Sequence, residues 1–301
     1  MQAGQAQSDM SGTVVEPESA SPPKRASRRW QDFVLGPLGH ANAETRAYLA
    51  SAAARGADGK IITVLVATAL CLTVQRFFAV QEALHHLEGF LHTIGLDGLA
   101  AALQETMWQT EAAQLHRLTW WVAVCLLTYV VVPLLIIRCI FRERPRDYGL
   151  KLQGAFADSW VYGVMLAVAW PLIFLVSASV RFQETYPFYR LGPGADLWPN
   201  FYLWEVLYYL QFFGVEFFFR GFLLHGTRHR FGAYAIVVMM VPYCMLHFQK
   251  PLLECLASII GAFVLGFMSL RTRSIWLGTA IHVTVAGSMD LASLWRQGVI
   301  P

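Results

Sequence analysis

The stretch FYLWEVLYYLQFFGVEFFFRGFLL (201–224) decides the fold. Only three of its side chains, Glu205, Glu216 and Arg220, are charged, and the rest are almost all aromatic or aliphatic. An α-helix needs about 20 predominantly apolar residues to cross the hydrocarbon core of a bilayer, and this run is long enough. A charge at the centre of such a helix costs about 2.5–3.5 kcal/mol, so each of the three calls for a partner or a function. Glu205 and Glu216 lie eleven residues apart, within about 20° of one helical face at 3.6 residues per turn. Arg220 follows Glu216 by four residues, the spacing at which opposite charges meet along a helix. Taken alone, that pair reads equally well as a self-neutralising packing contact.

The rest of the chain agrees with a membrane setting. Of 301 residues, 56% are hydrophobic and 14% charged, against roughly a quarter charged in soluble domains. The net charge of +3 is small and scattered, and no glycine-rich phosphate loop opens a helix, so nucleic acid and nucleotides are not expected partners. Seven apolar windows fall near 61–80, 118–141, 160–180, 201–224, 233–248, 252–270 and 275–291, the fifth of them short. The fold class predicted is therefore all-α, a polytopic transmembrane helix bundle of about seven spans. Five cysteines, Cys71, Cys125, Cys139, Cys244 and Cys255, lie in or beside these windows without a CxxC pair, and read as free thiols. Cys244, three residues before His247, is the one worth testing.

Lysine and arginine set the expected orientation. Lys24, Arg25, Arg28, Arg29, Arg46, Arg55 and Lys60 precede or open the first window, and Arg138, Arg142, Arg144, Arg146 and Lys151 follow the second. Arg228, Arg230, Arg271 and Arg273 mark two later turns, whereas 81–117 carries Arg117 against Glu82, Glu88, Asp97, Glu105 and Glu111. The N-terminus is thus expected in the cytoplasm and 81–117 outside, as a helix whose His85, His86 and His92 are surface groups. Residues 1–58 read as a cytoplasmic, largely disordered tail with a short surface helix near Trp30–Leu38. No apolar run directly follows its first charges, so a cleavable signal peptide is not expected. Residues 59–150 form N-terminal transmembrane helices with an external helical connection, and 151–301 the core that holds the site. The aromatic segment RFQETYPFYRLGPGADLWPN (181–200) reads as an interfacial belt in preference to a lid.

His247 and His282 change the meaning of the charged helix. With the basic turn near His229 as apex, Glu216 lies about 20 Å and His247 about 27 Å deep at 1.5 Å per residue. His282 lies about 14 Å beyond Arg273 by the same rise. Three ionisable groups on three helices thus share one broad layer. A glutamate in a low-dielectric site can take a proton from water, with neutral imidazoles positioning that water or the developing oxyanion. The same trio could instead ligate a divalent metal such as zinc, which would polarise the water. No cofactor is required by the first scheme, and the residue types do not separate the two.

VEFFFRG (215–221), YCMLH (243–247) and HVTVA (282–286) resemble the EExxxR, FxxxH and HxxxN motifs of the CAAX-protease and bacteriocin-processing (CPBP) family of intramembrane endopeptidases. GAFVLGFMSLRTRSIWLGTAIH (261–282) is similar to that family's helix, basic turn and helix before the last histidine. The resemblance implies peptide-bond hydrolysis within a membrane by a Glu-activated water. Glu216, Arg220, His247 and His282 would be the catalytic set, and a membrane-anchored protein or peptide the substrate. The expected location is a bacterial inner (plasma) membrane.

Val215 stands where the first motif glutamate would be, Ala286 replaces Asn, and Tyr243 replaces Phe. Three readings follow: local rotation that lets Glu216 serve as base, substitution by Glu205 or Glu254, or a non-catalytic relative that binds partners. A proton-coupled transporter is the remaining class, weakened because no second half repeats the first.

Overall fold

The computed structural model describes residues 25–51, 56–192 and 194–301, with side chains described from Gln31 onward. The chain divides into two units at Gly36/Pro37, and the site lies wholly within the second. Among the described residues the fold is all helical, with ten principal helices. In chain order these are α1 (Arg25–Ala50), α2 (Gly59–Phe78), α3 (Gln81–Thr93), α4 (Asp97–Gln104), α5 (Ala113–Ile140) and α6 (Ser159–Val176). They continue as α7 (200–231), α8 (Ala235–Met245), α9 (Leu252–Thr272) and α10 (Trp276–Arg296).

Each of the seven apolar windows is helical, as expected. Five stretches are long and apolar enough to cross a membrane: Gly59–Phe78, Ala113–Ile140, Ser159–Val176, Asn200–Met245 and Leu252–Thr272. The fourth comprises both α7 and α8, which are separated by a single tight turn at Gly232–Tyr234. The seventh window, α10, falls outside these five because His282, Asp290 and Arg296 lower its hydropathy. Residues 25–50 form one helix, which includes and extends the short helix expected near Trp30–Leu38. Residues 1–24 lie outside the described residues. Residues 81–93 and 97–104 are helical as expected, with His85 stacked on Trp108 and His92 bonded to Asp97.

The turns rich in basic residues converge at one end of the second unit. Lys60 pairs with Glu143 at 2.7 Å, and Tyr148 donates to the same carboxylate at 2.5 Å. Asp58 accepts from Tyr48 and meets His229 at 3.0 Å, while Glu44 holds both Arg228 and Arg273. The amide of Ile275 donates to the Gly149 carbonyl and Leu150 bridges to Ser274, tying the turn after α5 to the α9–α10 turn. Above this network sits an aromatic core: Tyr129 of α5 packs against Phe218 and Phe219 of α7, with Phe217 and Phe222 equally buried.

Within α7 the backbone is regular as far as Glu216 and then opens into wide π-type turns over Phe217–Leu223. Such turns are uncommon and concentrate at functional sites. Gly221 lies inside this segment. A Cβ there would stand 2.6 Å from the Tyr148 carbonyl oxygen and 2.9 Å from the Phe217 ring. Only glycine lets the loop after α5 approach this turn so closely.

Candidate active site

Glu216 occupies the last regular turn of α7, fully buried, and points toward α10. There its Oε1 lies 2.9 Å from Nδ1 of His282. Two residues 66 apart in sequence are thereby brought into hydrogen-bond contact. The carboxylate fits because α10 presents Gly278 to it. A Cβ at that position would come within 2.8 Å of Glu216 Oε2.

Arg220, also fully buried, reaches back along the helix to place Nη1 3.1 Å from the same Oε1. The approach is ionic in distance but off-line for a hydrogen bond, because the guanidinium is drawn over the Tyr243 ring, 3.9 Å from its centroid. A cation on an aromatic face gains about 0.5–2 kcal/mol, more when desolvated. Carboxylate and guanidinium cancel each other's charge, and the ring takes part of the load that water would carry elsewhere. The Arg220 carbonyl is fixed in turn by the hydroxyl of Ser269, which also contacts buried His225.

Tyr243, in the last turn of α8, links the two histidines. Its ring centroid is 4.9 Å from that of His247 and 6.4 Å from that of His282. His247 turns Nδ1 onto the Tyr243 carbonyl at 3.0 Å. A carbonyl oxygen can only accept, so Nδ1 carries the hydrogen and Nε2 of the neutral ring holds a lone pair. The same logic applies to His282, whose Nδ1–H donates to the Glu216 carboxylate and leaves Nε2 as an acceptor. Phe212, one turn before Glu216, covers the His282 ring at 4.5 Å. Exposure separates the acceptors: the His282 side chain is 16% exposed and that of Glu216 only 1%.

The sequence-predicted residues therefore divide. Glu216, Arg220 and His282 form one contact cluster, and His247 joins it through Tyr243. Val215 is buried in the apolar core and puts no carboxylate at that position. Glu205 lies instead against Asp290 of α10 and Tyr209, and Glu254 accepts from the Tyr186 hydroxyl at 2.7 Å. Neither substitutes for the missing first glutamate by contact with a site histidine. Among the described residues no three His, Cys, Asp or Glu side chains gather as a metal-ligand set.

Three contributors escaped the sequence reading. Tyr243 was legible only as a hydroxylated replacement for Phe one turn before His247, with nothing to say that Arg220 would lie on its face. Gly278 and Phe212 left no signal, since one acts by lacking a side chain and the other is one aromatic among many. No curated protein and no solved structure matches this chain. Residues 197–287, which contain Glu216, Arg220, His247 and His282, match the family described as type II CAAX prenyl endopeptidase Rce1-like, so that this part of the chain is similar to that family.

Proposed function

We propose that the protein is an intramembrane endopeptidase that hydrolyses a peptide bond of a membrane-anchored protein or peptide. The observation that carries this reading is the Glu216–His282 contact inside the family-matched segment. In the proposed mechanism the water sits at the Nε2 atoms of His282 and His247. His282 takes its proton as hydroxide adds to the scissile carbonyl, and Glu216 stabilises the imidazolium that forms. His247 steadies the water, and the proton on His282 then passes to the leaving amine. Arg220 keeps Glu216 ionised. Glu216 thus acts through His282 rather than directly on water, because Oε1 is committed and Oε2 is enclosed against Gly278. No step is routed through a metal.

The same reading places the basic end of the second unit in the cytoplasm, following the lysine and arginine distribution, in a bacterial inner membrane. Cysteine labelling from either side of sealed vesicles, at an engineered site beside Arg144, tests that orientation. Protection from the cytoplasmic reagent would contradict it.

Val215 favours the second reading, a non-catalytic membrane scaffold of the same fold, since it removes a carboxylate from the first motif position. One experiment separates the two. Wild-type protein in detergent or nanodiscs is offered lipid-anchored peptides, alongside Glu216→Gln, His282→Ala and His247→Ala. Cleavage by the wild type, lost in all three folded variants, supports the peptidase. Binding without cleavage by the wild type supports the scaffold.

A further inference from the structure

Cys244 and Cys255 are free thiols on different helices, and their sulfur atoms are 4.0 Å apart. Cys244 sits in the last turn of α8 and Cys255 in the first turn of α9, and both are half-buried. Between them runs the segment that carries His247 and Lys250. That segment is already tethered at two points: His247 holds the Tyr243 carbonyl, and Lys250 donates to Tyr186 at 2.9 Å while packing on Phe188. The other thiols are elsewhere, Cys71 and Cys125 in the aromatic core and Cys139 exposed at the far end of α5.

We infer that Cys244 and Cys255 form a reversible disulfide that locks the His247 segment and lowers the activity of the site. A disulfide needs its sulfurs at about 2.05 Å, so oxidation must draw the end of α8 toward α9 by roughly 2 Å. Tyr243 and His247 stand within one turn of Cys244 and would move with it. A displacement of about 1 Å in catalytic geometry can cost on the order of a hundredfold in rate.

The location suits the chemistry. Cys244 and Cys255 lie at the ends of α8 and α9 opposite the basic turns at 228–230 and 271–273. By the charge distribution above, that end faces the oxidising side of the membrane, where disulfides persist. The oxidant required is a protein or small-molecule disulfide of that compartment. One thiolate attacks it, forming a mixed disulfide and expelling one thiolate of the oxidant. The second cysteine then displaces the other, and the two protons lost by the cysteines pass to the oxidant, which departs as a dithiol or as two thiols.

The loss of activity rests on the peptidase reading, whereas the bond itself does not, and the test keeps them apart. Full-length protein in membrane vesicles is treated with diamide, and free thiols are counted by maleimide–polyethylene glycol gel shift. The 244–255 linkage is sought by mass spectrometry. The expected result is two fewer reactive thiols and a linked peptide, both absent in Cys244→Ala and Cys255→Ala and unchanged in Cys139→Ala. Peptide cleavage should fall at least tenfold on oxidation, recover with dithiothreitol, and resist oxidant in Cys244→Ala. Folded wild type that forms no such link under diamide would overturn the inference, as would a linked protein that cleaves at the reduced rate. Linkage in a protein that cleaves nothing even when reduced would uphold the bond and count against the peptidase.

Discussion

Glu216 meets two demands that usually conflict, being fully buried and yet held beside groups that need it charged. Its neighbours resolve the conflict, Arg220 by charge and His282 by a directed N–H. Removing one partner is therefore harsher than removing both. Arg220→Ala leaves an unpaired buried carboxylate and should destabilise the protein by roughly 3–5 kcal/mol, read as a lower unfolding temperature in detergent. Glu216→Gln combined with Arg220→Met should recover much of that loss while remaining inactive. A subtler probe is Gly278→Ala. Its Cβ would press on Glu216 Oε2 from 2.8 Å, so the carboxylate must shift and cleavage should drop by about a hundredfold. The fold should survive, and unchanged cleavage would show that Glu216 does not need its observed position.

At the scale of elements, the wide turn after Glu216 is what brings the loop following α5 against α7. Gly221→Ala tests this directly, because its Cβ would collide with the Tyr148 carbonyl at 2.6 Å. Overpacking of this kind costs typically about 1–3 kcal/mol. The expected outcome is reduced thermal stability in detergent, with the residual folded fraction still able to cleave. The helices themselves were plain in the sequence, since apolar length suffices to announce them. The joint between 201–224 and 233–248 was legible as well, at the basic turn before Gly232. Hydropathy cannot register that the backbone widens at Phe217. Helix α10 shows the converse, a helix too polar for the membrane criterion because it carries His282 and Asp290.

For the whole molecule, the basic end behaves as a clamp joining chain-distant turns. Burial pushes the Glu143 carboxyl up, but hydrogen bonds from Lys60 and Tyr148 outweigh it and hold the group below its usual 4.5. A carboxyl lowered in the folded state contributes stability that is complete above its unfolded value and disappears as pH falls through the folded one. Unfolding temperature should therefore decline on acidification below about pH 4.5, and Glu143→Gln should flatten that decline; an identical acid profile would exclude the clamp. Much of the site was legible from charge placement alone, because Glu216, Arg220 and His282 are costly inside apolar helices unless they meet. What stayed hidden was the division of labour. It depends on which imidazole nitrogen faces which acceptor, on a ring lying over a guanidinium, and on a glycine that makes room. Spacing carries none of these.

The proposed hydrolysis turns on Glu216 working through His282. The most direct measurement is a double-mutant cycle on kcat/KM for peptide cleavage, using Glu216→Gln, His282→Ala and the two combined. Groups that act as one unit lose their effect together. The prediction is that each single variant falls by about 10²–10⁴-fold and the double variant falls no further than the worse single. Losses that multiply in the double variant would show two independent contributions and contradict the mechanism.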